Sequence, residues 1–416
     1  MMAREMKDSG IEWIGEIPKE WELPKVKYLF SIGRGRVISQ LELEEYGYPV
    51  YSSQTKNNGC LGYISTYDFD RSQLTWTTDG ANAGTVFLRE GKHNCTNVCG
   101  TLMPKNDDNN LLFLKYALEY IAVYHKRADI NGYKIMNNEM ADIVIVLPPL
   151  PEQEKIATFL DSECAKIDEV ISKTKSTIEE YKKLKQSVIT EAVTKGIRPN
   201  REMKDSGIEW IGEICTDYAI YRLKHLLRTS LMYGANDSGI PFDETLPRYI
   251  RITDITLDGK LKDEGKLSLS EESASPYILE DDDILFARSG ATVGKAFIYK
   301  KEYGKSAFAG YLIKASTNNR VIADYVFYYT QSSIYEEWKK QIFIQATIQN
   351  IGADRYSNLP IVIPNVDEQE EIANYLDKKC TEIDTLIAKK EQIVSELESY
   401  KKSLIYEYVT GKKEVV

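Results

Sequence analysis

The sequence has 416 residues, 43% of them apolar, with 53 basic and 63 acidic side chains and a formal charge of −10. That balance excludes wholesale disorder, and the length allows two to four domains at roughly 100–200 residues each. The longest apolar run, Ile143–Leu150, is interrupted by Pro148 and Pro149, far short of the roughly 20 residues that cross a bilayer.

The first ten residues, MMAREMKDSG, hold no apolar signal core. Six scattered cysteines do not form a disulfide framework. A cytoplasmic protein without membrane partners is expected. The acidic balance argues against phosphate contacts spread over the surface, so any nucleic-acid face must be a local one. Tyrosine, at 28 residues, points to a recognition surface or to packed β-structure.

The chain opens on a leading segment, Arg4–Ile17, reading REMKDSGIEWIGEI. The same fourteen residues return unchanged at Arg201–Ile214. After it, residues 18–151 read as mixed α/β. Short strands are predicted at Tyr48–Ser53, Leu74–Thr78 and Val86–Arg89, and a helix at Leu111–Lys126. The loop Thr78-Asp79-Gly80-Ala81-Asn82-Ala83-Gly84 follows the second of these strands. Its paired glycines suit a tight turn with close backbone approach. Polar runs at Ser52–Asn58 and Asn131–Lys134 interleave amides, cations and an aromatic ring. Asn and Gln suit adenine edges, Arg and Lys guanine. Plain solvated turns account for such runs equally well.

Residues 152–194 contain neither Pro nor Gly. Alternating 4- and 3-residue spacings run through Leu160, Cys164, Ile167, Ile171, Thr174, Ile178, Tyr181, Lys185, Val188 and Ala192. This is a heptad seam broken at Thr174 and Lys185. Glu152–Thr194 recurs without a gap at Glu368–Thr410, where the breaks are Lys390 and Lys401. Each helix spans about 65 Å. Two separate amphipathic helices are one reading. The other pairs the copies antiparallel about a pseudo-two-fold axis, with the variable blocks at opposite ends of a rod.

The second variable block is 19 residues longer. Strands are predicted at Tyr249–Ile255, Ile284–Arg288, Lys295–Tyr299 and Ala307–Lys314, with a helix near Ala323–Lys340. Its loop is Arg288-Ser289-Gly290-Ala291-Thr292-Val293-Gly294-Lys295, and a further polar run covers Gln345–Asn350. The domains expected are 1–151, 152–196, 197–367 and 368–411.

No catalytic motif survives inspection. Gly290–Lys295 is one residue short of a phosphate loop, and Ala296 stands where a magnesium-binding hydroxyl belongs. Gly33-Arg34-Gly35 lacks the third glycine of a dinucleotide fingerprint. The three histidines are His93, His125 and His225. His93, Cys95 and Cys99 lack an evident fourth metal ligand. Cys164 and Cys380 sit on the seam as small apolar residues.

Lys7–Ile17 with Pro18 and Trp21 resembles the opening of specificity (S) subunits of Type I restriction–modification systems. Pro148–Glu154 and Asp283–Gly290 are similar to further stretches of that family, and the likeness follows the family's order along the whole chain. It implies two α/β (α+β) target recognition domains joined by two long antiparallel coiled-coil helices. Each domain would read half of a bipartite duplex site, and the helices would set the spacer. It implies a non-catalytic subunit that binds no cofactor itself. Two modification (M) subunits would supply S-adenosylmethionine chemistry, and restriction (R) subunits would bring ATP and Mg. The DNA-contacting candidates are Lys56, Asn57, Thr78, Gly80, Asn82, Tyr133 and Lys134 in the first block. In the second they are Arg288, Ser289, Gly290, Thr292 and Lys295. The competing reading is a coiled-coil scaffold with two α/β heads that bind protein or glycan. Cys215 and Tyr218 replace Pro18 and Trp21 in the second leading segment, so its packing is expected to differ.

Overall fold

A computed structural model describes residues 4–130, 132–256, 259–290, 292–344 and 349–415. It divides into two compact units, Met1–Lys175 with Gln392–Val416 (unit 1) and Ser176–Glu391 (unit 2). The division runs through both long helices. Each unit is therefore one recognition block with part of each helix.

The two blocks share a topology. In unit 1, one antiparallel sheet orders Phe30–Arg34, Cys99–Pro104, Gln73–Thr77 and Val86–Arg89. In unit 2 the corresponding order is Met232–Tyr233, Leu312–Ala315, Ile284–Ala287 and Ala296–Ile298. A second sheet in each unit contains a parallel pair, Tyr48–Tyr51 with Lys92–Cys95 and Arg248–Ile250 with Ser306–Phe308. The sheets meet where backbones nearly touch. A Cβ on Gly35 would fall 1.8 Å from Cys95 O, and one on Gly234 would fall 2.2 Å from Phe308 O. That contact is the reason for Gly35.

Several strands lack the pattern that would announce them. Cys99–Leu102 is buried on both faces, so nothing alternates. The expected strand Ala307–Lys314 is two, Ser306–Phe308 and Leu312–Ala315, separated at Gly310. Tyr249–Ile255 stops being a strand after Ile250 and continues as a 3-10 turn, Ile252–Asp254. The helix expected near 323–340 is also two, α3 (Ala323–Tyr329) and α4 (Ser333–Ile344). Ser332 Oγ accepts from Tyr335 N at 3.3 Å and starts α4 afresh. In the first block α1 covers Leu111–His125.

Buried tyrosines pin the core of unit 2. Tyr325 donates to Val362 O at 2.8 Å, Tyr329 to Pro360 O at 2.9 Å, Tyr335 to Gly294 O at 2.7 Å and Tyr356 to Ala287 O at 3.0 Å. A buried hydroxyl without such a partner costs about 1–3 kcal/mol.

The long helices are α2 (Leu150–Lys195) and α5 (Val366–Val409). Pro151 is tolerated in the first turn of α2, where a backbone donor has no partner to lose. Within unit 1, Asp168 pairs with Lys401 at 2.6 Å and Lys175 with Glu398 at 2.9 Å, so numbers rise on one helix as they fall on the other. Within unit 2, Lys185 meets Asp384 at 2.7 Å and Lys390 lies over the Tyr181 ring. The helices pair antiparallel in both. Lys185 and Lys401 break the apolar seam because each has a seam-edge aspartate to meet.

A clasp fixes each leading segment to the start of a long helix. In unit 1 Arg4 grips Glu152 with both terminal nitrogens, at 2.6 and 2.8 Å, and Trp21 Nε1 donates to the same carboxylate at 2.9 Å. In unit 2 Arg201 and the Tyr218 hydroxyl hold Glu368, the latter at 2.7 Å. Tyrosine thus keeps the donor that tryptophan supplies in the first copy. Burial and the bond to Glu368 raise the Tyr218 pKa. The neighbouring glutamine is a second joint. Gln153 accepts from Asn110 N at the start of α1 and donates to Pro148 O, while Gln369 accepts from Ile322 N at the start of α3 and donates to Pro364 O. The Glu-Gln pair therefore ties three pieces of chain together.

Candidate nucleic-acid interface

In unit 1 the polar segments assemble around the turn Thr96–Cys99. Ser53 Oγ and Thr78 Oγ1 both donate to Val98 O, the second at 2.7 Å. Asn82 Nδ2 reaches Thr55 Oγ1 at 3.1 Å and joins the Gly80 loop to the Lys56–Gly59 turn. The short strand Asp79–Gly80 pairs with Gly132–Lys134, placing Tyr133 opposite Gly80 and Lys134 opposite Asp79. Lys56, Asn57, Gly80, Asn82, Tyr133 and Lys134 are thus gathered on one edge.

Their surroundings differ. Lys56, Asn57 and Asn82 are exposed, and Gly80 holds φ +90°. Tyr133 is 42% exposed with Lys126 Nζ 4.3 Å above its ring. Lys134 is paired with Asp129 at 2.5 Å, a contact that lowers the Asp129 pKa. Thr78 is buried, and its hydroxyl is spent on Val98 O. It shapes the loop and leaves no donor free. Asn131 lies outside the described residues.

Unit 2 repeats the edge with other side chains. Ile351 N donates to Arg288 O as Ile135 N donates to Thr78 O, both at 2.9 Å, and Ser289 bridges to Asn350. Arg288 is half-buried with its guanidinium 5.1 Å from the centre of the Tyr233 ring, and its Nε has no partner among the described residues. Gly290 is exposed and Thr292 half-buried. Lys295 lines a groove of about 800 Å³ with Lys182, Lys185, Phe327, Glu336 and Asp384, and Arg288 is not among the lining residues. Burial and the nearby Lys339 depress the Lys295 pKa. Lys295 thus faces this groove, whereas the Arg288 guanidinium lies over the Tyr233 ring. Ala291 and most of the Gln345–Asn350 run, residues 345–348, lie outside the described residues.

Two residues were not legible as part of these edges. Arg34 donates to Asn137 Oδ1 at 3.0 Å, and the Tyr233 hydroxyl accepts from Ala353 N at 3.0 Å. Each precedes a close-contact glycine, Gly35 or Gly234, which is the signal that links them. Among the described residues no group of three or more His, Cys, Asp or Glu is arranged to hold a metal. The His93 ring instead contacts Gly91 O and the Gln73 amide, both at 2.8 Å. No described helix is long and apolar enough to cross a membrane.

The sequence matches the family model for the Type I restriction modification DNA specificity domain over residues 18–180 and 249–396. A Mycoplasma pneumoniae protein carrying the name of a type I specificity subunit N-terminus is 44% identical over 140 residues, 33% of this chain and 75% of that one. Several other Mycoplasma pneumoniae relatives match over about a third of this chain and less than two thirds of their own length. The specificity subunit of the type I restriction enzyme MjaVIII of Methanocaldococcus jannaschii is 25% identical, over 95% of this chain and 93% of that one. A solved structure concerning complex assembly and conformational transition of the type I R-M system shares the fold, with a TM-score of 0.67 at 14% identity over 95% of this chain and 99% of that chain. With the first recognition block and most of the second inside the matched residues, the chain belongs to the Type I restriction–modification DNA specificity family.

Proposed function

We propose that this chain is the DNA-reading, non-catalytic subunit of a Type I restriction–modification complex. Each unit reads one half of a bipartite duplex site through the edge described above. The paired helices set the unread spacer and offer docking surface to two modification subunits. Those subunits supply S-adenosylmethionine and methyl transfer, and restriction subunits supply ATP- and Mg-dependent cleavage.

One observation carries this reading. The same loop-and-strand edge is built twice on the same framework, yet the side chains it displays differ: Lys56, Asn57 and Tyr133 in one copy, Arg288 and Ser289 in the other. A constant frame with variable donors is what two distinct half-sites require. A family match that takes in the first block and most of the second speaks against protein- or glycan-binding heads.

The test is selection of duplexes from random DNA by the chain assembled with modification subunits. A two-part motif is expected, with affinity falling steeply as salt rises. Exchange of residues 18–146 for a relative's block should alter one half-site alone. Binding without sequence preference, or methyl transfer by the chain without modification subunits, would overturn the proposal.

A further inference from the structure

Beneath the Lys56–Gly59 turn lies a cation with no carboxylate partner among the described residues. Arg89 ends the strand Val86–Arg89, is 2% exposed, and sits 3.6 Å from the centre of the Tyr51 ring and 4.3 Å from that of Phe87. Its Nε donates to Thr75 Oγ1 at 3.0 Å and its Nη1 to Asn58 O at 2.7 Å, while Nη2 is buried without a partner. A guanidinium this deep and incompletely bonded is costly to keep. Burial draws its pKa down.

What Arg89 holds is itself unusual. Asn57 and Asn58 are successive left-handed residues, with φ 49° and 52° and ψ 42° and 35°. Side chains resist this conformation, and asparagine is among the few that accept it. Glycine would make the same turn without strain. Asparagine at these positions adds two amides to a turn that glycine would also make. Both are exposed, and neither amide has a hydrogen-bond partner among the described residues. They stand beside the Gly80 loop, to which the Asn82–Thr55 bond ties their turn.

We propose that the Asn57–Asn58 pair reads an adenine in the half-site bound by unit 1, and that Arg89 is the positioning residue that locks the pair left-handed through Asn58 O. A carboxamide offers a donor to adenine N7 and an acceptor to its N6 amine in the major groove. The turn fixes the backbone that carries the two amides, so only their side-chain torsions need ordering on binding. This rests on the DNA-reading assignment above.

The experiment uses the full chain assembled with modification subunits and duplexes randomised at the half-site that exchange of residues 18–146 alters. Asn57→Gly and Asn58→Gly keep the backbone and remove the amides. At least one of them should lose about 5- to 150-fold discrimination at a single A·T pair. The thermal midpoint, the other positions of that half-site and the whole second half-site should hold. Arg89→Lys should lose the same discrimination, and in the Asn57→Gly/Asn58→Gly background it should change it no further. A purely structural Arg89 would add a loss of its own there.

Unchanged discrimination in both glycine variants, a uniform affinity loss over all sequences, or a motif without an A·T pair in that half-site would each overturn the proposal. If the unaltered complex selects no sequence, the DNA-reading assignment fails first and this inference falls with it.

Discussion

Removing the clasp carboxylate should have unequal effects in the two copies. Glu368 is 3% exposed at its side chain and Arg201 is 16% exposed, whereas Glu152 is 26% exposed. Glu368→Ala leaves Arg201 only Asp217, which is 58% exposed, and strands the buried Tyr218 hydroxyl at a site closed to water, a loss of about 3 kcal/mol, the low end for a broken buried pair. Glu152→Ala leaves Arg4 its second partner, Glu20, and water access, so about 1–3 kcal/mol is expected. Each unit has about 200 residues, and one kcal/mol shifts such a domain by about 2–4 °C. Glu368→Ala should therefore lower the melting of unit 2 by about 6–12 °C. Hydrogen exchange resolved by peptide assigns the loss to residues 176–391. The triple replacement Arg201→Met, Tyr218→Phe, Glu368→Leu should recover most of it, because no charge is then left buried alone. Equal small losses at both glutamates, or a triple variant worse than Glu368→Ala, would refute the account of the clasp.

Three further outcomes follow from the same contacts. Burial holds the His93 pKa below its ordinary 6.5, so between the two values the unfolded chain binds a proton that the folded chain refuses. Unit 1 should lose stability as pH falls below 6.5, and the slope should vanish in His93→Gln; denaturant midpoints at several pH values check this. Arg288→Ala should weaken binding of the second half-site by about 5- to 150-fold without lowering the melting point, if the guanidinium over Tyr233 contacts a base. A heptad added to each long helix lengthens it by about 10 Å and should lengthen the preferred spacer by about three base pairs, with both half-sites unchanged in duplex selection.

Much of the frame was legible because it is written twice. Glu152 with Glu368, Gln153 with Gln369, and Lys185 with Lys401 stand out as pairs before any coordinates, and each pair performs one task. What the repeat hides is chemical equivalence between unlike residues: Trp21 and Tyr218 share only a ring with a donor at its edge. The recognition edges were legible as polar loops but not as assembled surfaces. Tyr133 and Gly80 are separated by 52 residues and meet through two hydrogen-bonded strands. Arg89 gave no signal, because a single arginine after Val86-Phe87-Leu88 reads as the solvent end of a strand. Its burial follows from the Lys56–Gly59 turn folding over it, a tertiary event.

The division of the chain into a contiguous unit 2 and an interrupted unit 1 has a consequence for synthesis. Residues 176–391 are complete within one stretch. Unit 1 is not finished until residues 392–416 leave the ribosome, and at 5–20 residues per second that delay is on the order of ten to fifty seconds. Throughout it Leu160, Cys164, Ile167 and Ile171 lack the partner helix that buries them. The half translated first is the half completed last. Its bare seam is therefore the part of the nascent protein most dependent on a chaperone, and the part most prone to pair with the same seam on a neighbouring chain.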